Sequence, residues 1–193
     1  MRRDDGIAAI LRHRGNAAII GVYNTGLDLR RLSPAPLNLY SSGAMGQGSS
    51  WGLGLALGMP ERKVLVLDGD GSLLMNLGSL VTIANAAPRN LYHFVFENGC
   101  YEANGSHPIP AQGRIDFAAV ARGAGIHYSF AFDELAHFAD EVPRILALEG
   151  PVFAALKVVP GDPSPQDYAF VNAVERVREF KRAIEAERRA KPA

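Results

Sequence analysis

The chain contains a single cysteine, Cys100, among its 193 residues. One cysteine excludes a disulfide framework, and it also excludes a multi-cysteine metal or iron–sulfur site within this chain. The sequence has no apolar run close to the roughly 20 residues of a membrane span. At its start, MRRDDGIAAILRHRG, two aspartates follow the two arginines and the apolar stretch is short, which is a poor match to a signal peptide. We therefore expect a soluble, cytoplasmic protein with no membrane partner.

An excess of charge of either sign is also missing, because 20 Lys and Arg residues balance 20 Asp and Glu residues. A chain of zero formal net charge has no global field that draws it toward nucleic acid or an anionic membrane. Hydrophobic residues make up 48% of the sequence and charged residues 21%, which is typical of a globular protein. The length suits one ordinary domain over residues 1–193, with no nucleic-acid partner.

What the sequence does contain is a regular alternation of predicted strands and helices. Continuous apolar runs predict strands at 17–23, 63–68, 91–97, 126–130 and 151–159. Apolar spacing and end signals predict helices at 4–14, 77–86 and 115–124. Continuous rather than alternating hydrophobicity is typical of strands that are covered on both faces. The predicted fold class is therefore α/β, with a doubly wound parallel sheet and helices on both faces.

Three further segments are harder to interpret. In 43–58 the apolar residues alternate as in a strand, but Ser49, Gly52 and Ala56 form a small face at helical spacing, which favours a helix over 46–58. Residues 27–37 hold two prolines and are predicted to be an irregular loop. Pro143 argues against one helix over 133–148, so two shorter helices are predicted there, with Asp133 and Asp140 as their N-caps.

A highly charged helix is predicted at about 167–190, near the end of the chain. Its apolar residues recur at spacings of three and four, and they are Tyr168, Val171, Val174, Val177, Phe180 and Ile184. We expect this helix to pack on its own domain, with a partner-facing helix as the alternative.

Ligands of open parallel sheets bind beyond the carboxyl ends of the strands, where this chain places 24-NTG-26, 68-DGDGS-72 and 97-ENGCYE-102. Asp70 brings a carboxylate to that edge, and the adjoining glycines allow the backbone to approach a ligand closely. The Gly71 and Ser72 amides suit a phosphate. A carboxylate beside free amides is consistent with a divalent cation, such as Mg²⁺, held between the carboxylate and a diphosphate.

The next strand end offers a second source of oxygen ligands. Asn98 carries an amide carbonyl, Gly99 lets the chain turn, and the backbone carbonyl of Cys100 can point back to the same metal. Asp-Gly pairs are common in turns, so a lone GDG is compatible with a plain turn. A GDG followed 28 positions later, from Asp70 to Asn98, by Asn-Gly at the end of another buried strand is more specific.

This pairing resembles the signature of thiamine diphosphate enzymes, and the order of elements over roughly 5–160 is similar to their diphosphate-binding (PP) domain. Three segments look most like the sulfopyruvate and phosphonopyruvate decarboxylase group, whose members remove CO₂ from 3-substituted pyruvates. They are 38-NLYSSGAMGQGSSWGLGLALG-58, 68-DGDGSLLMNLGSL-80 and 98-NGCYEANGSHPIP-110. The resemblance implies a thiamine diphosphate- and Mg²⁺-dependent enzyme acting on a small 2-oxoacid.

The resemblance also implies roles for individual residues. Asp70, Asn98 and the Cys100 backbone carbonyl match the metal ligands. The carbonyl of Gly43 matches the acceptor for the exocyclic amine of the cofactor, and Met45 matches the bulky residue that bends the cofactor and brings that amine near the thiazolium carbon. The remaining matches to cofactor contacts are Asn24, Thr25, Ala44, Gly69, Gly71, Ser72 and Tyr101.

Two departures from the family leave the substrate open. Glu97 stands where relatives often carry a first asparagine before Asn98. Arg30 and Arg31 stand near a position where the group tends to have Arg-Glu. Either arginine, or His107, is a candidate for an anionic substrate group, and a solvated surface residue is the alternative for each.

The family also needs a pyrimidine-binding (PYR) domain, whose glutamate activates the cofactor, and this chain is too short to hold both domains. The resemblance therefore implies half an active site, completed by a separate PYR-domain subunit, with self-association also expected and helix 46–58 as a candidate contact surface. Three alternatives stay open: a carboligase subunit, a subunit of a 2-oxoacid oxidoreductase, or a non-catalytic cofactor-binding regulatory subunit.

Overall fold

The computed structural model describes residues 1–41, 45–161, 167–171 and 173–190. Within these residues the main sheet has six strands, all parallel, in the order β2-β1-β3-β4-β8-β7. A separate two-stranded antiparallel sheet pairs β5 with β6. The strands are β1 (Ala18–Val22), β2 (Asn38–Ser41), β3 (Val64–Gly69), β4 (Leu91–Glu97), β5 (Cys100–Tyr101), β6 (His107–Pro108), β7 (Tyr128–Phe132) and β8 (Val152–Lys157).

Helices cover both faces of the main sheet, as the predicted fold class requires. One face packs α1 (Arg3–Leu11), α2 (Asn24–Leu32) and α7 (Leu135–Ala147) in a core cluster that includes Ile7, Leu29 and Phe138. The other packs α3 (Gly48–Gly58), α5 (Ser79–Ala86) and α6 (Phe117–Gly123) through Ala56, Leu80 and Phe117. The remaining helices are α4 (Asp70–Leu74), α8 (Tyr168–Val171) and α9 (Val174–Ala190). The doubly wound α/β prediction is confirmed.

The central strands explain the continuous apolar runs of the sequence. Every residue of β1 is buried, and so is every residue of β3 as far as Asp68. Neighbouring strands stay in register along their length, with Ile20 opposite Val66 and Val66 opposite His93. Because the strands are parallel, their carboxyl ends lie along one edge of the sheet.

The helical prediction for the glycine-rich segment is confirmed by α3, which begins at Gly48. Its buried face consists of Gly48, Ser49, Gly52 and Ala56. A side chain at Gly52 would collide with Val66 of β3, so the small face lets the helix lie directly on the sheet.

The predicted loop over 27–37 is confirmed for 33–37 but wrong for 27–32, because α2 continues from Asn24 to Leu32. Leu29 is fully buried against the sheet, and Asp28 is buried in an ion pair with Arg3 of α1. These tertiary contacts stabilise a helix whose local sequence does not predict it. The prolines lie only in the short connection to β2, a strand that the sequence analysis missed.

The predicted division at Pro143 is also wrong, since α7 runs unbroken from Leu135 to Ala147. Its N-cap is Glu134, so neither Asp133 nor Asp140 starts a helix. Phe138, Val142, Ile145 and Leu146 are all buried, while Pro143 is exposed. The backbone hydrogen bond that the proline removes therefore lies on the solvent side, and burial of the apolar stripe offsets its loss.

The C-terminal segment forms α8 and α9 instead of one continuous helix. Phe180 of α9 is buried, Ile184 is half-buried, and Val174 and Val177 are exposed. Phe170 of α8 contacts the aromatic ring of Tyr40, which attaches this segment to β2. Among the helices of the described ranges, none combines the length and apolarity that crossing a bilayer requires.

Candidate functional site

A cleft opens at the carboxyl ends of β1, β3 and β4, and it collects most of the residues that the sequence analysis selected. The predicted residues that line it are Asn24, Thr25, Met45, Gly69, Asp70, Gly71, Ser72, Asn98, Cys100 and Tyr101. The other two predicted contacts, Gly43 and Ala44, lie outside the described residues. Segments separated by up to 77 positions, from Asn24 to Tyr101, thus meet at one place.

Asp70 is the first residue of α4 and is only 2% exposed. Its Oδ1 accepts a hydrogen bond from the Gly71 amide at 2.8 Å, and its Oδ2 accepts one from the Gly99 amide at 2.7 Å. Burial, with a smaller contribution from the nearby charge of Glu97, raises the pKa of Asp70 to about 6 despite these hydrogen bonds. Within the described residues no ion pair reaches this carboxylate. A cation beside it would therefore favour the ionised form.

Asn98 follows β4 and lines the same cleft as Asp70. Its Oδ1 accepts from the Cys100 amide at 3.0 Å, while Asp70 accepts from the amide of the preceding residue, Gly99. Consecutive backbone amides thus hold the two side-chain oxygens. Gly99 has φ +79°, a conformation that glycine adopts without strain, and the chain turns there from β4 into β5.

The donor atoms at this point of the cleft fit a magnesium ion. A carboxylate, a side-chain amide oxygen and a backbone carbonyl are hard oxygen donors, and Mg²⁺ completes its octahedron with phosphate and water. In the described ranges, no group of three or more His, Cys, Asp or Glu side chains is placed to hold a metal ion. Ligation by the Asp70 carboxylate and two neutral oxygens would match the limited protein ligation that Mg²⁺ shows beside a diphosphate.

The start of α2 forms the wall opposite Asp70. The Thr25 hydroxyl is buried and accepts from the Val22 amide. Its oxygen also lies within hydrogen-bond distance of the backbone carbonyls of Val22 and Leu67, to one of which its single proton is donated, so it links β1 to β3. This hydroxyl is therefore occupied by the sheet, and only the backbone of Thr25 is left to meet a phosphate. Tyr23 precedes the helix with φ +51° and ψ −118°, a sparsely populated conformation for a residue other than glycine, at the wall of the cleft.

The two glycines that flank Asp70 differ in what occupies the space beside them. A Cβ at Gly71 would lie 2.5 Å from Cδ1 of Tyr101, so the absent side chain makes room for that ring. A Cβ at Gly69 would meet nothing within 4 Å. The expectation that both glycines clear space for a diphosphate thus fits Gly69, whereas the space at Gly71 is filled by Tyr101.

Met45 lines the cleft from a turn that is fastened to the segment after Asp70. Next to it, the Gly46 amide donates to Oγ of Ser72 at 3.0 Å, and the Gly46 carbonyl accepts from Nδ2 of Asn76 at 2.9 Å. Gly46 has φ +84° and lies against Met75, so the turn requires a glycine there. These contacts hold Met45 at a fixed position relative to Asp70.

Sequence reasoning missed an ionic network at the base of the cleft. Arg3 of α1 is buried and pairs with Asp28, its Nε lying 2.7 Å from Oδ2, and also with Glu102. Burial lowers the pKa of Arg3, but the hydrogen bonds and charges of the two carboxylates outweigh it and raise the pKa above its usual value. Ninety-nine positions separate Arg3 from Glu102, so no local pattern announces the pair.

Asp68, the first aspartate of the DGDG run, points away from this chemistry. It is fully buried, and its Oδ2 lies 3.2 Å from Nε2 of His93 on the neighbouring strand. Its Oδ1 accepts from the Gly69 amide at 2.9 Å. The structure therefore supports the interpretation of Asp68 as an architectural residue at the strand end.

The three candidates for an anionic substrate group are not among the residues that line the cleft. Arg30 pairs with Asp167 and lies over the ring of Phe170. Arg31 pairs with Asp4 and Asp28, and His107 is exposed on β6. In this chain the surface alternative is therefore the better description of all three.

Residues 21–156 match the sequence model of the family described as "Thiamine pyrophosphate enzyme, C-terminal TPP binding domain". That range holds nearly all of the cleft, with Arg3 as the exception.

Among curated proteins, the chain is 44% identical over 137 residues to the sulfopyruvate decarboxylase subunit beta of Methanothermobacter thermautotrophicus, covering 70% of this chain and 69% of that subunit. It is 36% identical to the phosphonopyruvate decarboxylase of Streptomyces viridochromogenes, covering 80% of this chain but 38% of that protein. Among solved structures, benzoylformate decarboxylase from Polynucleobacter necessarius superposes with a TM-score of 0.72 at 16% identity, covering 86% of this chain and 34% of that one. The chain thus spans little more than a third of the two longer proteins.

Proposed function

We propose a function from the premise that the chain belongs to the thiamine pyrophosphate enzymes that share the C-terminal TPP-binding domain. The chain is the PP-domain subunit of a two-subunit, thiamine diphosphate- and Mg²⁺-dependent 2-oxoacid decarboxylase of the sulfopyruvate and phosphonopyruvate type. The observation that carries the proposal is that an Asp70 oxygen and the Asn98 amide oxygen accept from the consecutive backbone amides of Gly99 and Cys100, in one cleft.

In the proposed enzyme, Asp70, Asn98 and the Cys100 carbonyl hold Mg²⁺, which binds the cofactor diphosphate. The backbone at Gly69, Gly71 and Ser72 and the start of α2 at Asn24 and Thr25 surround the phosphates. When bound, thiamine diphosphate supplies a nucleophilic carbon that adds to the 2-oxo carbon of the substrate, and the cofactor then stabilises the negative charge that remains on the substrate when CO₂ departs. The chain itself positions the cofactor and provides a cleft that is shielded from water.

Met45 has the second role in this proposal. It lines the cleft from a turn fastened to Ser72 and Asn76, as expected of a side chain against which the cofactor bends. Gly43, in the same segment, is proposed to accept from the exocyclic amine through its backbone carbonyl, and Ala44 to lie beside it.

The activating carboxylate is proposed to come from a PYR-domain partner. The other carboxylate in this cleft besides Asp70, in the described part of the chain, is Glu102, which is paired with Arg3 and is therefore not available to protonate a cofactor ring. The name of one relative, subunit beta, indicates that a second subunit exists in that enzyme. The greater length of the phosphonopyruvate decarboxylase is consistent with both halves residing on one chain there.

The partner is proposed to dock beside Met45, on the outer faces of α3, α4 and α5. Exposed apolar side chains collect there, with Trp51 and Leu57 on α3, Met75 directly after α4 and Val81 on α5. Met75 packs against Gly46, which follows Met45, so this apolar face adjoins the cleft. Exposed apolar area of this kind is typical of surfaces that are covered in an assembly, and self-association of the pair is part of the proposal.

The proposal is tested by reconstitution with a PYR-domain chain, sought first in a neighbouring open reading frame. The pair is assayed for CO₂ release from sulfopyruvate, phosphonopyruvate and aromatic 2-oxoacids, with thiamine diphosphate and with Mg²⁺ or EDTA. We expect turnover by the pair, loss of turnover in EDTA, and little or none by either chain alone. Robust turnover by this chain alone would overturn the two-chain proposal.

The same assay separates the remaining functions. A product with a new carbon–carbon bond and no net release of CO₂ would indicate a carboligase. Turnover that depends on an electron acceptor would indicate an oxidoreductase. Cofactor binding by the pair without turnover on any 2-oxoacid would indicate a regulatory subunit. A cytoplasmic location is also proposed, and cell fractionation with an antibody to the chain tests it.

A further inference from the structure

Glu102 gathers hydrogen bonds from four separate parts of the chain. Its Oε2 accepts from Nδ2 of Asn24 at 3.0 Å, from Nδ2 of Asn98 at 3.1 Å and from the Arg3 guanidinium. Its Oε1 accepts from the Gly161 amide at 2.8 Å. The side chain is only 7% exposed, so this carboxylate is a buried junction between α1, the start of α2, the end of β4 and the segment after β8.

The junction decides which way the Asn98 amide faces. An asparagine amide has an oxygen that accepts and a nitrogen that donates, and rotation of the group by half a turn exchanges them. With Glu102 in place, only the nitrogen can face its carboxylate, because the turned amide would set oxygen against oxygen. The Asn98 oxygen is then directed to the Cys100 amide, next to the Gly99 amide that holds Asp70.

This direction matters because an amide nitrogen has no lone pair to offer a cation, whereas the amide oxygen is a hard ligand. Arg3 in turn holds Glu102, and Asp28 holds Arg3 from its other side. We propose that Glu102 is a positioning residue: it fixes the Asn98 amide so that its oxygen faces the metal of the cofactor site. This inference rests on the proposed function, since the metal belongs to it.

Asp28 provides a matched control. It is as buried as Glu102, at 7% exposure of the side chain, and it is the other carboxylate partner of Arg3. No hydrogen bond links it to Asn24 or Asn98 among the contacts of the described residues. Asp28→Asn therefore removes a comparable buried ion pair and leaves the Asn98 amide against Glu102.

The first measurement is made by solution NMR on the chain alone, without ligand. Its mass of 20.7 kDa suits this method. The side-chain amide signals of Asn98 are assigned by their loss in Asn98→Asp. Glu102→Gln removes the negative charge and one of the two acceptor oxygens, which weakens the hold on the Asn98 amide, so we expect these signals to shift and to exchange faster with water. In Asp28→Asn we expect them to stay near their wild-type positions. Unchanged Asn98 signals in Glu102→Gln, or equal changes in both variants, would overturn the inference.

The second measurement is the affinity for Mg²⁺ in the presence of thiamine diphosphate, by calorimetry on the chain assembled with its partner subunit. Loss of a group that orients a metal ligand costs about 10- to 100-fold in affinity, and we expect that loss in Glu102→Gln but not in Asp28→Asn. Equal losses in the two variants would reduce Glu102 to a structural role.

The two measurements also separate this inference from the proposed function. A wild-type assembly that binds neither Mg²⁺ nor cofactor would overturn the proposed function and the metal-facing role together. A wild-type assembly that binds both, with unaltered affinity in Glu102→Gln, would overturn the role of Glu102 and leave the proposed function standing.

Discussion

Asp70 and Glu102 are two buried carboxylates in one cleft, and the protein treats them in opposite ways. Glu102 has a guanidinium partner, two side-chain amides and a backbone amide. Asp70 has only backbone amides, and burial raises its pKa to about 6. A carboxylate that the fold fully compensates serves the architecture, whereas one left without a cation is disposed to bind one.

The largest expected effect comes from removing the uncompensated carboxylate. Asp70→Asn should weaken Mg²⁺-dependent cofactor binding and lower the activity of the assembled enzyme by roughly 100- to 1,000-fold, because it removes the charge that is proposed to face the metal. The ligand-free chain should keep a melting temperature close to that of the wild type, because the loss of a buried charge offsets the loss of one of the two backbone hydrogen bonds that the carboxylate accepts. Activity assays, calorimetry and thermal melts measure the three quantities. A large drop in melting temperature would place Asp70 with Glu102 among the architectural residues.

In the network of Arg3, Asp28 and Glu102, by contrast, loss of the cation should mainly lower stability. Arg3→Met leaves Glu102 buried without a cation and leaves Asp28 with only the exposed Arg31, which should lower the free energy of unfolding by about 3–5 kcal/mol. Urea denaturation followed by circular dichroism measures the change.

Arg89→Met is the control for that experiment, because Arg89 forms an exposed pair with Glu149. Such pairs contribute at most about 1 kcal/mol. Equal effects of the two substitutions would contradict the contrast between the buried network and the surface.

The pH dependence of stability should distinguish Asp70 from the carboxylates that have cationic partners. The pKa of Asp70 in the folded chain, about 6, lies above the unfolded value of 3.8, so between these values the folded chain binds more protons than the unfolded one. The stability of the ligand-free chain due to this group therefore falls by about 3 kcal/mol in total as the pH rises from about 3 to about 7, with the steepest loss between about pH 4 and pH 6. Other carboxylates, such as Asp4, have lowered pKa values and act in the opposite direction. The measurement is thus the difference between wild type and Asp70→Asn in urea melts across this range, and a difference independent of pH would contradict it.

The smallest effect concerns the glycines on either side of Asp70. Gly71→Ala forces a methyl group against Tyr101 and should cost about 1–3 kcal/mol of unfolding free energy. Gly69→Ala meets open space and should leave stability nearly unchanged while weakening cofactor binding. Urea denaturation with calorimetry separates the two, and similar stability losses in both variants would contradict the asymmetry.

Much of the cleft could be predicted from sequence because its parts are strand ends. Each buried run announces a strand, parallel strands end at one edge, and Asp70 and Asn98 follow two neighbouring runs directly. The order of the helices followed in the same way, since most carry their own apolar spacing. The roles of these residues toward metal and cofactor remain predictions.

The failures were non-local. Nothing near Glu102 indicates that Arg3 lies against it, and α2 depends on burial of Leu29 and Asp28 by elements far away in sequence. Pro143 carried too much weight because its local effect was visible, whereas the buried stripe of α7 that overrides it depends on packing with the sheet. Local preferences are least reliable where tertiary contacts determine the outcome.

Trp51 is the chain's only tryptophan, and it stands 39% exposed on the face proposed for the partner, outside the residues that line the cleft. The tryptophan fluorescence of this chain therefore originates from the face that is proposed to bind the partner. A subunit that covers α3 should move this emission to shorter wavelength, while occupation of the cleft should alter it little. Binding of the partner should thus change the tryptophan emission, whereas binding of the cofactor should not. The order of the two events can therefore be followed by stopped-flow fluorescence on the unlabelled protein.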